Sequence, residues 1–285
     1  MTPLRFAVIG DPVGHTKSPR MHAAAYAALG LPHVYEALPT KDDEVGARVQ
    51  ALRDSVYAGL NVTVPHKQRV LDYVDAVDMS AQAVGAANTL VRDVNGSVVA
   101  FNTDVPALAA ELRRLAPART TEAWAESDAL VLGSGGAARA ALVALGVVGV
   151  RRICVRARNV ERASALIELL PKAGCEAAVR LEPLVAKDDD GAFTTIVQAT
   201  SAGMVGAADG HAIAGAVDWE RLPTHAIALD VVYAPPETPF LSRAYARGLR
   251  GENGLGMLAG QGALAFAMWL GTEPPIDAML AALAP

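Results

Sequence analysis

Ala129-Leu-Val-Leu132-Gly133-Ser134-Gly135-Gly136-Ala137-Ala138 reads as a buried strand that runs through a glycine-rich turn into an alanine-rich helix. A continuous apolar run bounded by glycine fits a strand covered on both faces, which is how parallel strands are buried. Gly133-x-Gly135-x-x-Ala138 has the G-x-G-x-x-A spacing of a dinucleotide-binding turn. The first glycine allows the tight turn, the second lets a pyrophosphate approach the backbone, and Ala138 permits close helix–strand packing. An ordinary glycine-rich turn is the alternative. The strand before and the helix after weigh against it.

Downstream the same grammar continues, with apolar strands at 153–155, 195–198 and 226–232 alternating with helical stretches. That alternation predicts a doubly wound parallel sheet. At the end of the strand after the glycine turn stand Arg156 and Arg158, with Arg162 one turn later and no carboxylate before Glu161. An acidic residue there would hold the ribose 2′-hydroxyl of NAD, whereas a guanidinium accommodates the 2′-phosphate of NADP. The pattern therefore favours NADP, a solvated basic strand end being the alternative.

Upstream, residues 5–9 form a short apolar strand ending at Gly10, and Ser18-Pro19 is a helix start with serine as N-cap and proline at the first helical position. Thr16 and Ser18 thus flank a helix N-terminus, where an anion is favoured, simple capping being the alternative for Ser18. Asn61-Val-Thr-Val-Pro-His-Lys67 reads as a strand with Asn61 and Thr63 on one face, ended by Pro65. A helix from about residue 66 would place Lys67 at its mouth. The same stretch also fits a plain strand-to-helix junction. A helix at about 80–84 follows, and then Asn95-Gly96 signals a two-residue hairpin turn whose facing residues would sum to 191. In that register Asn88 lies opposite Thr103 and diagonal to Asp104, so an amide and a carboxylate come within reach of one ligand. After a helix at 105–115, the last part of the chain reads as two helices, at 238–248 and 255–270.

The chain of 285 residues has room for two domains. The expected division is an α/β domain at 1–104, a Rossmann-type domain at 105–237, and C-terminal helices at 238–285 that return to the first domain. A net charge of −5 argues against nucleic acid or a membrane surface as partner, so an anionic ligand must be met by local groups. No apolar run reaches the ~20 residues of a membrane span, and the N-terminus lacks a signal-peptide pattern, which implies a cytoplasmic protein. Cys154 and Cys175 lack metal or redox spacing, and the six histidines form no ligand cluster, so no metal is expected.

Eight motifs in order, spread over nearly the whole chain, resemble the shikimate dehydrogenase family. They are His15-Thr-Lys-Ser18-Pro19 with Met21-His22, Asn61–Lys67, Gly85-Ala-Ala-Asn88-Thr89, Asn102-Thr103-Asp104, Gly133-Ser-Gly-Gly-Ala137, Gln198-Ala-Thr-Ser-Ala-Gly-Met204, Asp230-Val-Val-Tyr233 and Gly254-x-x-Met257-Leu258-x-x-Gln261-Gly262. The resemblance implies NADP-dependent interconversion of 3-dehydroshikimate and shikimate, on the route to chorismate and the aromatic amino acids, by a monomer or homodimer. It implies that Lys67 and Asp104 are catalytic, with Lys67 passing the proton. Thr16, Ser18 and Tyr233 would bind the substrate carboxylate; Asn61, Thr63, Asn88, Asp104 and Gln261 would hold its hydroxyl and carbonyl groups. Gly133, Ser134, Gly135, Gly136, Ala137, Ala157, Arg158, Asn159, Arg162, Thr200, Val231 and Gly254 would line the cofactor.

The chain departs from the family pattern at four places. Thr16 stands for a serine, Ala157 and Gln198 each for an asparagine, and Val105 and Ala107 follow Asp104 where glycine is common. A quinate/shikimate or aminoshikimate dehydrogenase is thus the competing enzyme, and a cofactor-binding regulator without chemistry the competing class. The presence of both Lys67 and Asp104 speaks against the regulator.

Overall fold

The computed structural model describes residues 2–185 and 188–284. They divide into two compact units, Met1–Ala107 with Leu258–Pro285, and Leu108–Met257. Among the described residues no helix is long and apolar enough to cross a membrane.

The first unit is built on six strands: β1 (Arg5–Gly10), β2 (Val34–Pro39), β3 (Gly59–Val62), β4 (Ala76–Val77), β5 (Thr89–Arg92) and β6 (Val98–Phe101). Their order is β2-β1-β3-β5-β6-β4. β1 is parallel to β2 and β3, whereas β5 runs antiparallel to β3 and β6. The carboxyl ends of β1, β3 and β6 and the start of β5 therefore share one edge of the sheet. Ala7, Ile9, Leu60 and Val62 face one side, where Val45, Val49 and Leu52 of the Val45–Arg53 helix cover them. On the other side Phe6 stacks on Trp269 of the Leu255–Leu270 helix, ring centroids 5.1 Å apart. Trp269 lies so close over Gly59 that a Cβ there would come within 2.4 Å of the indole.

Three expectations for this unit are corrected. The helix foreseen from residue 66 is a series of turns followed by a 3-10 helix, Arg69–Tyr73. The Lys67 carbonyl accepts from the Ala87 N–H at 2.7 Å, and the Leu71 N–H, which a helix would direct to it, bonds Gln68 O at 3.2 Å. Ser18 is the first residue of the Ser18–Ala28 helix, and Lys17 holds the cap position without a side-chain bond. The hairpin pairs Thr89 with Phe101 and Val91 with Val99, so facing residues sum to 190 and the register is one residue from that expected. Asp93 causes this. Its carboxylate accepts from the N–H groups of Asn95 and Ser97, its own N–H bonds Ser97 O, and Gly96 alone takes a positive φ of 89°. The result is a three-residue loop in place of the two-residue turn.

In the second unit β7 (Asp128–Leu132), β8 (Arg152–Ala157), β9 (Ala178–Pro183), β10 (Phe193–Gln198), β11 (Ile227–Asp230) and β12 (Arg250–Glu252) are all parallel. Read from β9, their order is β9-β8-β7-β10-β11-β12, the 3-2-1-4-5-6 arrangement of a Rossmann sheet. The order reverses between β7 and β10, and ligands of such sheets bind at that switch point. The two edge strands were not legible beforehand: β9 is half exposed and interrupted by Arg180 and Glu182, and β12 is Arg-Gly-Glu.

The return to the first unit begins within the Leu255–Leu270 helix, not at residue 238. The Pro239–Ala246 helix and β12 belong to the second unit. A further helix, Ile276–Leu283, packs on Ser18–Ala28, and Lys17 Nζ donates to Leu283 O at 3.2 Å.

Candidate active site

At the shared edge of the first sheet, Lys67 Nζ stands 2.6 Å from Asp104 Oδ2, with the two side chains 14% and 3% exposed. Asp104 opens the Asp104–Leu115 helix, whose N-terminal end favours a negative charge. Asn102 caps that end, its Oδ1 accepting from the N–H groups of Asp104 and Val105 at 3.1 and 3.2 Å. The second carboxylate oxygen, Oδ1, accepts from Asn88 Nδ2 at 2.9 Å. The carboxylate is thus fixed on one side by an amide and on the other by an ammonium group.

Asn88 joins these parts. Its Nδ2 lies 2.9 Å from Thr103 Oγ1 and 3.3 Å from Gln261 Oε1, and its Oδ1 accepts from the Thr103 N–H at 2.7 Å. The expected meeting of Asn88 with Thr103 and Asp104 occurs although the register that suggested it is wrong. β6 ends at Phe101, and the chain turns back over Asn88, whose own N–H holds Phe101 O at 3.0 Å.

Asn61 is buried beside this cluster, with Nδ2 on Asn88 O and Thr89 Oγ1 and Oδ1 on the Tyr35 hydroxyl. Thr63 lies one residue beyond β3, half-buried, its N–H on Ile9 O at 2.9 Å. Thr16 Oγ1 lies 3.1 Å from Ser18 Oγ. Gln261 is held by its Nε2 on Leu258 O at 2.9 Å. Lys67, Asp104, Asn61, Thr63, Asn88, Gln261, Thr16 and Ser18 all belong to the first unit, and Tyr233 follows β11 in the second.

In the second unit the glycine-rich turn sits at the sheet's switch point. Gly133 has φ +116°, and a Cβ there would lie 2.8 Å from Thr200 Cγ2 and 3.0 Å from Ala199 O, so both backbone and space require glycine. Gly135 meets the opposite situation. It precedes the Gly136–Val148 helix without a side-chain cap, and its surface is open, with no atom within 4 Å of a notional Cβ. Unbonded helix N–H groups beneath an open backbone suit a pyrophosphate. Ser134, Gly136 and Ala137 are half-buried around it.

Ala157 is buried at the end of β8, and Arg158 and Arg162 are exposed just beyond it. Asn159 caps the next short helix, its Oδ1 accepting from the Arg162 N–H at 2.7 Å. The donors present therefore fit a nucleotide carrying a 2′-phosphate, with one correction. Arg156 is fully buried, and its guanidinium bonds Asp190, Glu182 and the Ala216 carbonyl. Only its carbonyl serves the site, by accepting from the Gly133 N–H at 2.8 Å. Strand-end position in the sequence cannot tell an inward from an outward arginine; the alternation along β8 puts 156 and 158 on one side, but 158 lies past the strand end.

Two groups were given no role by the sequence reading. Tyr35 carried no signal, since an aromatic in a strand is most often core. The Asp230 carboxyl, pushed up to about 6 by burial, accepts from Thr238 Oγ1, the Val232 N–H and Gln198 Nε2. Gln198 in turn holds Thr200 through its N–H and carbonyl, so this node ties Thr200 to the segment bearing Val231 and Tyr233. Gly254 closes against the same segment, a Cβ there falling 2.2 Å from Val231 O. Among the described residues no group of three or more His, Cys, Asp and Glu is placed to hold a metal ion.

Residues 8–90 match the model of the shikimate dehydrogenase substrate binding domain, and residues 254–284 that of the shikimate 5'-dehydrogenase C-terminal domain. The shikimate dehydrogenase (NADP(+)) of Citrifermentans bemidjiense is 38% identical over 280 residues, covering 97% of this chain and 93% of its own. Shikimate 5-dehydrogenase from Thermus thermophilus, solved with NADP(H) and shikimate, aligns with a TM-score of 0.81 at 37% identity over 98% of each chain. Quinate dehydrogenase from Corynebacterium glutamicum, solved with NAD, aligns with a TM-score of 0.85 at 29% identity over 99% of each. With relatives of this identity over nearly its full length, the chain belongs to the shikimate dehydrogenase family.

Proposed function

We propose that this protein is an NADP-dependent shikimate dehydrogenase that reduces 3-dehydroshikimate to shikimate, reversibly, in aromatic amino acid biosynthesis. The observation that carries the reading is the Lys67–Asp104 pair at 2.6 Å, held by Asn88 and Asn102 within a cluster of amides and hydroxyls. A polyol suits such a cluster, because each hydroxyl left unpaired in a closed site costs about 1–3 kcal/mol.

Thr16, Ser18 and Tyr233 bind the carboxylate in this reading, and Asn61, Thr63, Asn88, Asp104 and Gln261 take the ring hydroxyls and carbonyl. Gly133–Ala137, Thr200, Val231 and Gly254 hold the dinucleotide, and Arg158 and Arg162, with Ala157 and Asn159 beside them, hold its 2′-phosphate. When bound, NADPH supplies the hydride that adds to the carbonyl carbon. Lys67 gives a proton to the carbonyl oxygen as the C=O bond becomes C–O–H, and takes it back in the reverse direction. Its charge also faces the oxygen on which negative charge develops. Asp104 orients the ammonium group and accepts from a neighbouring substrate hydroxyl. The enzyme acts in the cytoplasm as a monomer or homodimer, a location in keeping with the free thiols of Cys154 and Cys175.

NADPH deuterated at its transferable hydrogen tests the chemistry. Incubated with 3-dehydroshikimate and the protein, it is expected to give shikimate with one deuterium on the new carbinol carbon, read by mass spectrometry. Unlabelled shikimate, or no shikimate, would refute the reading.

A further inference from the structure

The side-chain amide of Asn61 has a single orientation open to it. One terminal atom faces the Asn88 main-chain carbonyl at 3.0 Å and the Thr89 hydroxyl at 3.1 Å. A carbonyl only accepts, so that atom is nitrogen, and both of its hydrogens are used within the protein. Oδ1 is thereby turned to Tyr35, whose hydroxyl donates to it at 2.7 Å. A phenol has one proton to give. That proton is spent on Asn61 Oδ1, which keeps a second lone pair on the same oxygen.

The ring that carries this hydroxyl is clamped. Tyr35 is 8% exposed and lies flat on His22, with centroids 4.2 Å apart and planes 4° from parallel. Burial pushes the His22 imidazole down to about 3, so the stacking partner is neutral, and it raises the Tyr35 hydroxyl well above its ordinary range, so the donor proton stays in place. The register agrees: Tyr35 pairs with Phe6 and Asn61 with Val8, which puts both side chains on one face of the sheet.

We propose that Tyr35 is a positioning residue for shikimate, fixing the Asn61 side chain and presenting its Oδ1 to a substrate hydroxyl as an acceptor only. This rests on the assignment of Asn61 to the substrate.

Tyr35→Phe keeps the ring and its stacking and removes only the oxygen. In steady-state assays it is expected to raise KM for shikimate roughly tenfold, the equivalent of one well-placed hydrogen bond. KM for NADP+ should be unchanged and kcat should stay within about threefold, because the reacting atoms and the nucleotide site are untouched. Combined with Asn61→Ala, it should add little to the single Asn61→Ala effect. Tyr26→Phe is the control, since the Tyr26 hydroxyl is buried with no hydrogen-bond partner among the described residues, and its loss should leave shikimate KM unaltered. A Tyr35→Phe enzyme whose shikimate KM lies within twofold of wild type, while Asn61→Ala raises it, overturns the proposal and leaves the function standing. Parallel losses for shikimate and NADP+ overturn it too, by pointing to general damage. If Asn61→Ala leaves shikimate KM unaltered, the assignment of Asn61 to the substrate fails and the proposal with it.

Discussion

Lys67→Ala is expected to lower kcat for shikimate oxidation by roughly 10²- to 10⁴-fold, the range of a single positioned proton-transfer group. KM for shikimate and NADP+ should change far less, because the other side chains proposed to bind the substrate keep their protein partners. Asp104 retains Asn88 on Oδ1, and Asn102 still caps its helix, so the carboxylate stays in place without its cation. Circular dichroism and a thermal melt establish that the variant folds. An unchanged kcat would remove Lys67 from the chemistry, and a rise in KM alone would make it a binding residue.

Arg156→Met is expected to act on stability. The guanidinium is fully buried among Asp190, Glu182 and the Ala216 carbonyl, and Asp190 also accepts from the Asp218 N–H at 2.6 Å. Removing Arg156 leaves Asp190 a buried carboxylate without its cation, while Glu182 keeps Arg180 at 3.0 Å, a loss of about 3–5 kcal/mol. Chemical denaturation should show it as a lower midpoint. The folded fraction should still use NADP+ with little change in KM, since the guanidinium is occupied by Asp190, Glu182 and the Ala216 carbonyl. A normal midpoint with a raised KM for NADP+ would return Arg156 to the cofactor site. Arg158, exposed at the end of the same strand, is the residue whose loss belongs to that second pattern.

The contrast between Arg156 and Arg158 shows where sequence stops being informative. The strand–glycine–helix pattern at Ala129–Ala138 was legible because backbone geometry demands those residue types, and the apolar strands around it because burial on two faces demands continuous hydrophobicity. Burial of a charged side chain depends on partners distant in the chain, here Asp190 and Glu182, and no local pattern announces them. The same holds at the first site. The residue types around Lys67 could be read, but the hairpin register turned on whether Asp93 would bond the N–H groups of Asn95 and Ser97. The missing helix after Pro65 goes with a bond from Ala87 to the Lys67 carbonyl. Tyr35 is the extreme case, a strand aromatic whose ring is core and whose hydroxyl donates to Asn61 Oδ1.

Family membership leaves the pairing of substrate and cofactor as the central matter, since a quinate dehydrogenase solved with NAD also shares this fold. Arg158 and Arg162 stand exposed past the end of β8, the position proposed for a 2′-phosphate, which favours NADP+, whereas the methyl group that Thr16 adds beside Ser18 is the departure that keeps quinate in competition. The deciding measurement is kcat/KM for shikimate and for quinate, each with NADP+ and with NAD+, on the purified wild-type protein. Shikimate with NADP+ is expected to be the preferred pair by a wide margin; preference for quinate with NAD+ would contradict the assignment.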